Sequence, residues 1–355
     1  MNLRDKVELH KRWWARTNDA PLVGPYVPLD MPFGGLDINV PPARMAERAL
    51  RNAEVAHHAP GDMLVVARAN FSVAHVPAIA GAGFQYDEHT SWSVPVASSI
   101  SELRVKPFDP NHPLFIEYVR RLEPLLEHWS WDTYLPGLDD YLGPLDVLAG
   151  LLGPGNLAIA MMEEPDEVKK HAMDAAQTVR DMLHYELRLH REAGLTEGVT
   201  DGFSVWLPGA GVRMSEDFSA LVGDRQFREF FIEPDSLIYE SVDSSFLHVH
   251  SAAHRCMPGI LDCRKLGAIE FGNDPNGPDL DTRIACGRMV QEKGLPLQMG
   301  SWNMPLEEGD VRKLVTSLDP RGLIVRLQAE SIEHANELNA MVIDLCNKPA
   351  PGSAA

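Results

Sequence analysis

Short apolar runs alternate with amphipathic stretches through the second half of the chain. The apolar runs predict strands at 203–207, 246–250, 268–271, 295–299 and 323–327. The last four begin 22 to 28 residues apart, the length of one strand–loop–helix–loop unit. Helical periodicity fills the gaps between them. Short apolar strands that alternate with helices are typical of a parallel sheet in an α/β protein.

The first half of the chain is less regular. Residues 20–42 combine prolines and glycines with apolar residues and predict an ordered but irregular segment. Further apolar runs predict strands at 63–67 and 132–136. Helical periodicity predicts helices at 1–18, 43–58, 113–129, 145–152 and 165–193.

These units predict a (β/α)8 TIM barrel that occupies residues 1–348 as one domain. Residues 1–60 would be an N-terminal helical extension, and residues 349–355 a flexible tail. A doubly wound open sheet is the alternative architecture. No Gly-x-Gly-x-x-Gly follows any predicted strand, which excludes the usual nucleotide-binding form of that alternative.

Composition and charge narrow the classes of function. Hydrophobic residues make up 45% of the 355 residues, enough for a large core. The net charge of −19 argues against nucleic acid and against an anionic membrane surface as partners. No apolar run approaches the ~20 residues that span a bilayer. The four cysteines form no Cys-x-x-Cys pair, which favours a reducing compartment, so we expect a cytoplasmic protein.

Polar side chains follow the predicted strands, where barrel enzymes carry their chemistry. Four of these residues are candidates for catalysis: Arg68, Arg213, Asp217 and His250. Five more are candidates for substrate binding: Asn70, Trp206, Trp302, Asn303 and Gln328. Together they predict one polar pocket at the carboxyl ends of the strands.

Two histidines lie at the end of the 246–250 strand. His248 and His250 are two residues apart and therefore point to the same face. Zinc prefers imidazole, thiolate and carboxylate ligands, with three protein ligands in catalytic sites. We predict a zinc site formed by His248, His250 and Glu270, with Asp217, Glu216 or Cys256 as alternative third ligands. The other interpretation is a hydrogen-bonded histidine pair that supports a carboxylate substrate.

Several stretches resemble a known family in their order and spacing. They are Gly143–Gly153, Glu164–Val168, Ser215–Ser219, Phe227–Phe230 with Pro234, Phe246–Ser251, and Leu318–Leu323. On these residues the chain resembles the uroporphyrinogen decarboxylase superfamily, which includes the corrinoid-linked methyltransferases. The resemblance covers roughly residues 60–345 and implies a (β/α)8 barrel.

The sequence also departs from that family at two places. The Arg-Gln-Ala-Gly-Arg segment of the porphyrinogen decarboxylases is absent, and Asp30–Asp37 stands in that region. The zinc methyltransferases carry His-x-Cys where this chain has His248-x-His250. These departures argue against porphyrinogen decarboxylation and against a zinc–thiolate site, and they leave a His/His/carboxylate site as the chemical option.

Three functions compete at this point. The first is a metal-assisted methyltransferase on a small substrate, of the corrinoid-linked type, in which a partner protein carries the corrinoid. The second is a cofactor-free decarboxylase or lyase, in which Arg68 and Arg213 bind carboxylates. The third is a non-catalytic binding barrel. A homodimer is also expected, since the 20–42 segment could cross a subunit interface.

Overall fold

A computed structural model describes residues 1–27, 35–300 and 306–347. The strands are β1 (Leu22–Tyr26), β2 (Val66–Ala67), β3 (Gly83–Tyr86), β4 (Ser91–Val94), β5 (Leu135–Pro136), β6 (Tyr141–Leu142), β7 (Gly198–Thr200), β8 (Trp206–Pro208), β9 (Gly211–Ser215), β10 (Ser244–Val249), β11 (Ala268–Phe271), β12 (Leu297–Gly300) and β13 (Leu323–Gln328).

Helices separate most of these strands. They are α1 (Leu3–Trp14), α2 (Met45–Ala56), α3 (His75–Ile79), α4 (Pro113–His128), α5 (Pro144–Leu152), α6 (Pro154–Glu163), α7 (Pro165–Glu192), α8 (Asp224–Phe230), α9 (Ile232–Tyr239), α10 (Met257–Ile260), α11 (Leu280–Glu292), α12 (Glu308–Ser317) and α13 (Ile332–Asn347). Three 3-10 turns, Pro42–Arg44, Asp217–Leu221 and Ser251–Cys256, precede helices or connect them to strands.

Seven parallel strands form the main sheet, in the order β1-β13-β12-β11-β10-β9-β6. In its centre His248 of β10 lies opposite Ser215 of β9 on one side and Glu270 of β11 on the other. All seven strands end at the same edge because all are parallel. This register brings the polar ends of β9, β10 and β11 side by side.

The remaining strands form three separate pairs, β2 with β5 in parallel and the hairpins β3–β4 and β7–β8. Single backbone contacts connect the β2–β5 region to its neighbours. Asp62 N donates to Val23 O at 2.8 Å, and Gly137 forms a parallel bridge with Thr200. The fold is thus mixed α/β and compatible with a TIM barrel. In the described residues the hydrogen-bonded strands do not form one continuous closed ring.

Two predicted segments have a different structure. The predicted 203–207 strand is realised as β8, which pairs antiparallel with β7 and stays outside the main sheet. The strand that joins the main sheet is β9. Its Gly, Arg and Ser residues interrupt the apolar run, so an apolar pattern does not predict it. The segment 20–42, predicted to be irregular, contains β1, which is hydrogen bonded to β13.

The core lies on both sides of the sheet. Helix α7 buries an apolar stripe that includes Val168, Val179 and Leu183, as its helical periodicity predicts. Helix α1 covers the amino end of β10, where the fully buried Trp13 packs edge-on against Phe246. Among the described helices, none is by itself long and apolar enough to cross a membrane, and only α5 and α6 together, bent by 108°, meet that length and composition.

Candidate metal site at the carboxyl ends of the strands

Three predicted residues come together where β9 and β10 end. His248 lies on β10, His250 follows it directly, and Asp217 begins the turn after β9. One ligand atom of each residue lies within 4.8 Å of the other two. The two imidazole rings are 5.2 Å apart and nearly perpendicular, at 78°. Two ring nitrogens and one carboxylate oxygen at this spacing form a donor set that suits zinc.

A second carboxylate orients His250. Its Nδ1 lies 2.9 Å from Asp274 Oδ1, and its Nε2 lies 3.4 Å from Asp217 Oδ1. Asp274 is itself held by the backbone N–H and the hydroxyl of Ser251, at 2.6 and 2.8 Å. The hydrogen bond with Asp274 raises the pKa of His250 to about 9, against the opposing effect of burial. The Nδ1 contact leaves Nε2 directed at Asp217.

Glu270 lies beside His248 at ion-pair distance, without a hydrogen bond to its Nδ1. The Nδ1 of His248 lies 3.3 Å from Glu270 Oε2, and the same oxygen accepts two hydrogen bonds from Arg213, at 2.9 and 2.7 Å. Burial raises the pKa of Glu270, but Arg213 and His248 outweigh it and hold the pKa below its usual range. Glu270, predicted as a metal ligand, therefore lies on the Nδ1 side of His248, and Asp217 completes the compact group instead.

The backbone of Asp217 is anchored from helix α5. Asp146 accepts hydrogen bonds from the N–H groups of Asp217 and Phe218, both at 2.7 Å. Asp146 sits in the first turn of α5 and is almost completely buried. Burial, with the nearby charge of Asp217, raises its pKa well above the usual value. This contact positions the Asp217 side chain beside His250.

Arg68 and Arg213 are also brought together, one on each side of Asp140. Each places a terminal nitrogen 3.6 Å from one oxygen of that carboxylate. Their guanidinium carbons lie 4.7 and 4.0 Å from the centre of the Phe203 ring. Burial lowers the pKa of Arg213, but Glu270, Asp140 and Asp201 more than compensate and raise it. Arg213 is therefore a fully compensated buried cation.

The predicted substrate-binding residues are dispersed. Asn70 binds the backbone of the neighbouring loop, and Trp206 is buried near α1, where its backbone N–H donates to His10. Gln328 is exposed at the end of β13 and lines a cavity of about 970 Å³ together with Tyr26. Trp302 and Asn303 lie outside the described residues. Asn70 also lines a cavity, of about 220 Å³, together with Arg68, so the two predicted residues face different cavities.

Sequence reasoning assigned no role to three residues that shape this region. Asp274 and Asp146 orient the candidate ligands, and Arg326 of β13 places a buried guanidinium beside the Tyr26 ring. Asp274 follows β11 after two residues, so its position at a strand end was a usable signal. Arg326 interrupts the apolar run Leu323–Leu327, and a charge within such a run was a second signal.

Comparison with solved structures finds a relative with the same fold. A methyltransferase from Methanosarcina mazei superposes with a TM-score of 0.66 over 97% of this chain and 99% of its own length, at 12% sequence identity. No match is found among protein-family models or among curated protein sequences. At this identity the similarity concerns the fold, which the two chains share over nearly their whole length.

Proposed function

We propose that this protein is a metal-dependent methyltransferase, in which Asp217, His248 and His250 hold a zinc ion. The observation that carries the proposal is the compact group of these three residues at the end of β10. Each imidazole has a carboxylate at its Nδ1, a common device for fixing the tautomer and the orientation of a metal-binding histidine. The shared fold with a methyltransferase supports the same reaction class.

Each of these residues would have its own role in such a site. When bound, zinc would act as a Lewis acid that activates a thiol or polarises an ether or amine. His248 and His250 would provide neutral ring nitrogens, kept in one tautomer by Glu270 and Asp274. Asp217 would add one negative charge, and Arg213 would keep Glu270 ionised and in place.

The same proposal includes the carrier of the methyl group and the closed barrel. The methyl group would be exchanged with a corrinoid carried by a partner protein, as the resemblance to the uroporphyrinogen decarboxylase superfamily implies. The sheet, with the β2–β5 pair set between β1 and β9, would be the (β/α)8 barrel of that superfamily. The alternative decarboxylase loses support because its two proposed carboxylate-binding residues already contact carboxylates of the protein, Arg213 with Glu270 and Arg68 with Asp140.

Metal content tests the proposal. The purified protein is expected to bind one zinc per chain, with an anomalous signal between His248 and His250. His248→Ala, His250→Ala and Asp217→Asn should each reduce zinc affinity at least tenfold, measured by competition with a chromogenic chelator. His254→Ala is the matched control, since His254 lies on the next turn and contacts the carbonyl of Ser251.

Activity provides the second readout. Methyl transfer from methylated cobalamin to a thiol should depend on added zinc and should be lost in the two histidine variants. A protein that binds no zinc, or whose histidine variants bind zinc as tightly as wild type, would contradict the metal site. Unchanged activity and unchanged partner binding in both variants would instead favour the non-catalytic barrel.

A further inference from the structure

Arg326 is a buried cation on strand β13. It makes no ion pair with any described residue. Its relative exposure is 5%. Its Nη1 donates to the carbonyl oxygen of Phe203 at 3.2 Å, and its buried Nε has no hydrogen-bond partner among the described residues. A buried guanidinium without a counter-charge is costly, so such a group usually has an anionic partner.

The nearby carboxylates are committed to another arginine. Glu270, Asp140 and Asp201 lie 2.7, 3.6 and 3.8 Å from nitrogen atoms of Arg213. Asp140 also contacts Arg68. Arg326 therefore contributes a positive charge that the described part of the interior leaves without a partner at contact distance.

The surrounding residues hold the Arg326 side chain in one position. Its guanidinium carbon lies 4.0 Å from the centre of the Tyr26 ring, a cation–π contact. On the adjacent strand Gly24 leaves room for it, since a Cβ there would lie 2.7 Å from Arg326 Cδ and 2.6 Å from Met63 Cγ. A guanidinium held in this way, with no carboxylate at contact distance among the described residues, can bind an oxyanion through its N–H groups.

A cavity lies at the carboxyl end of β1 and β13, and Arg326, which is not itself a lining residue, contacts its wall through Tyr26. Tyr26, which contacts the guanidinium, also lines the 970 Å³ cavity, and Gln328 lies two residues beyond Arg326 on the same face of β13. Glu307, Glu308, Glu330 and Glu337 line the outer wall of this cavity, but they are solvent-exposed, so water and salt weaken their effect on a buried cation.

We propose that Arg326 binds an oxyanion, so that the small-molecule ligand of this protein carries a carboxylate group or a comparable anion next to an apolar or aromatic body. The Tyr26 and Phe203 rings beside the buried guanidiniums favour an aromatic body over a long flexible one. The inference specifies the substrate class of the proposed methyltransferase, but anion binding itself does not require the metal.

A matched pair of probes tests this inference. Benzoate and benzamide have nearly the same shape and differ in charge, and their binding can be measured by NMR line shifts or calorimetry on the full chain. Wild type is expected to bind benzoate at least tenfold more tightly than benzamide. Arg326→Gln should abolish this preference, and Arg326→Lys should keep part of it. Arg321→Gln, at an exposed arginine paired with Asp319, is the control and should bind like wild type.

Stability separates a ligand-binding role from a structural one. In buffer without anions, Arg326→Gln should unfold at the same or a higher denaturant concentration than wild type, because an uncompensated buried charge is removed. Wild type that binds benzoate no better than benzamide would overturn the inference, as would an unchanged preference in Arg326→Gln or Arg326→Lys. The titrations are repeated in chelator and with one equivalent of zinc, so that failure of zinc binding counts against the proposed function alone.

Discussion

At the scale of single residues, the two candidate metal-binding histidines have similar neighbours. Each has a carboxylate at Nδ1, Glu270 for His248 and Asp274 for His250. Glu270 is buried and bound by Arg213, whereas Asp274 is partly exposed and bound by Ser251. The two imidazoles are therefore held with different rigidity, and the His250 side is the one that solvent and protons can reach.

Replacing Asp274 should change the titration of His250. The pKa of His250 is raised to about 9, chiefly by its hydrogen bond with Asp274, so in metal-free Asp274→Asn it should fall towards the ordinary value. A raised pKa stabilises the fold below the unfolded pKa of about 6.5, and this contribution disappears as the pH rises through 9. NMR titration of the imidazole protons measures the shift. An unchanged pKa in the variant would show that Asp217, and not Asp274, sets it.

The sequence predicts the shared face of the two histidines but not the contacts with their carboxylate partners. His248 and His250 were placed on one face because side chains in a strand alternate with period two. Their carboxylate partners come from the loop after β11 and from β11 itself, 24 residues from His250 and 22 residues from His248. No periodicity relates such distant residues, so Glu270 was predicted as a ligand when it lies on the Nδ1 side.

At the scale of elements, an ion pair joins two strands that are not neighbours. Arg213 of β9 reaches Glu270 of β11 across the intervening strand β10. Both side chains are nearly completely buried, at 6% and 8% exposure. Their main role is to fix the relative position of β9 and β11 under the candidate metal site.

Removal of both partners should cost less unfolding free energy than the sum of the two single removals. Arg213→Met leaves the buried Glu270 carboxylate without its cation, which should cost about 3–5 kcal/mol of unfolding free energy. Glu270→Leu leaves Arg213 with only the longer contacts to Asp140 and Asp201. The double variant should be less destabilised than the sum by at least about 1 kcal/mol. Urea unfolding measures all three. The exposed pair Arg264–Glu233 is the control, and its loss should have little effect because water and salt screen exposed ion pairs. Additive effects for the buried pair would contradict the coupling.

Element boundaries show where local patterns succeed. The predicted strand 268–271 coincides with β11, and the helix predicted at 113–129 begins at Pro113, as expected for proline in a first turn. The sequence predicts a helical segment over about 224–242 with a break at Pro234, whereas in the structure the break is at Phe231 and Pro234 lies in the first turn of α9. Proline is tolerated there because the N–H it lacks would have no partner within the helix.

At the scale of the whole molecule, stability should depend on a buried carboxyl pair behind the site. Asp235 of α9 and Glu216 after β9 are fully buried, and their carboxylate oxygens have no hydrogen-bond partner among the described residues. Burial raises the pKa of Asp235 to about 7. The folded protein therefore keeps a proton that the unfolded chain releases near pH 4.

This pair predicts a decline of stability with rising pH. The contribution of a carboxyl group with a raised pKa is fully present below the unfolded pKa and is lost as the pH passes through 7. Between pH 4 and 7 the loss is at most on the order of 4 kcal/mol. Asp235→Asn should flatten this decline in urea unfolding at pH 5 and pH 8, whereas Asp132→Asn, at an exposed residue, should not. Parallel curves for wild type and Asp235→Asn would disprove the assignment.

The sequence by itself determined the α/β class, the strand–helix repeat and the shared face of His248 and His250, because each follows from periodicity over neighbouring residues. Only the tertiary structure decided which charges compensate one another. It assigned Glu270 to Arg213, brought Asp217 to His250 and left Arg326 without a carboxylate among the described residues. These pairings depend on the register of separate strands, which is set by packing of the whole sheet and by no local pattern.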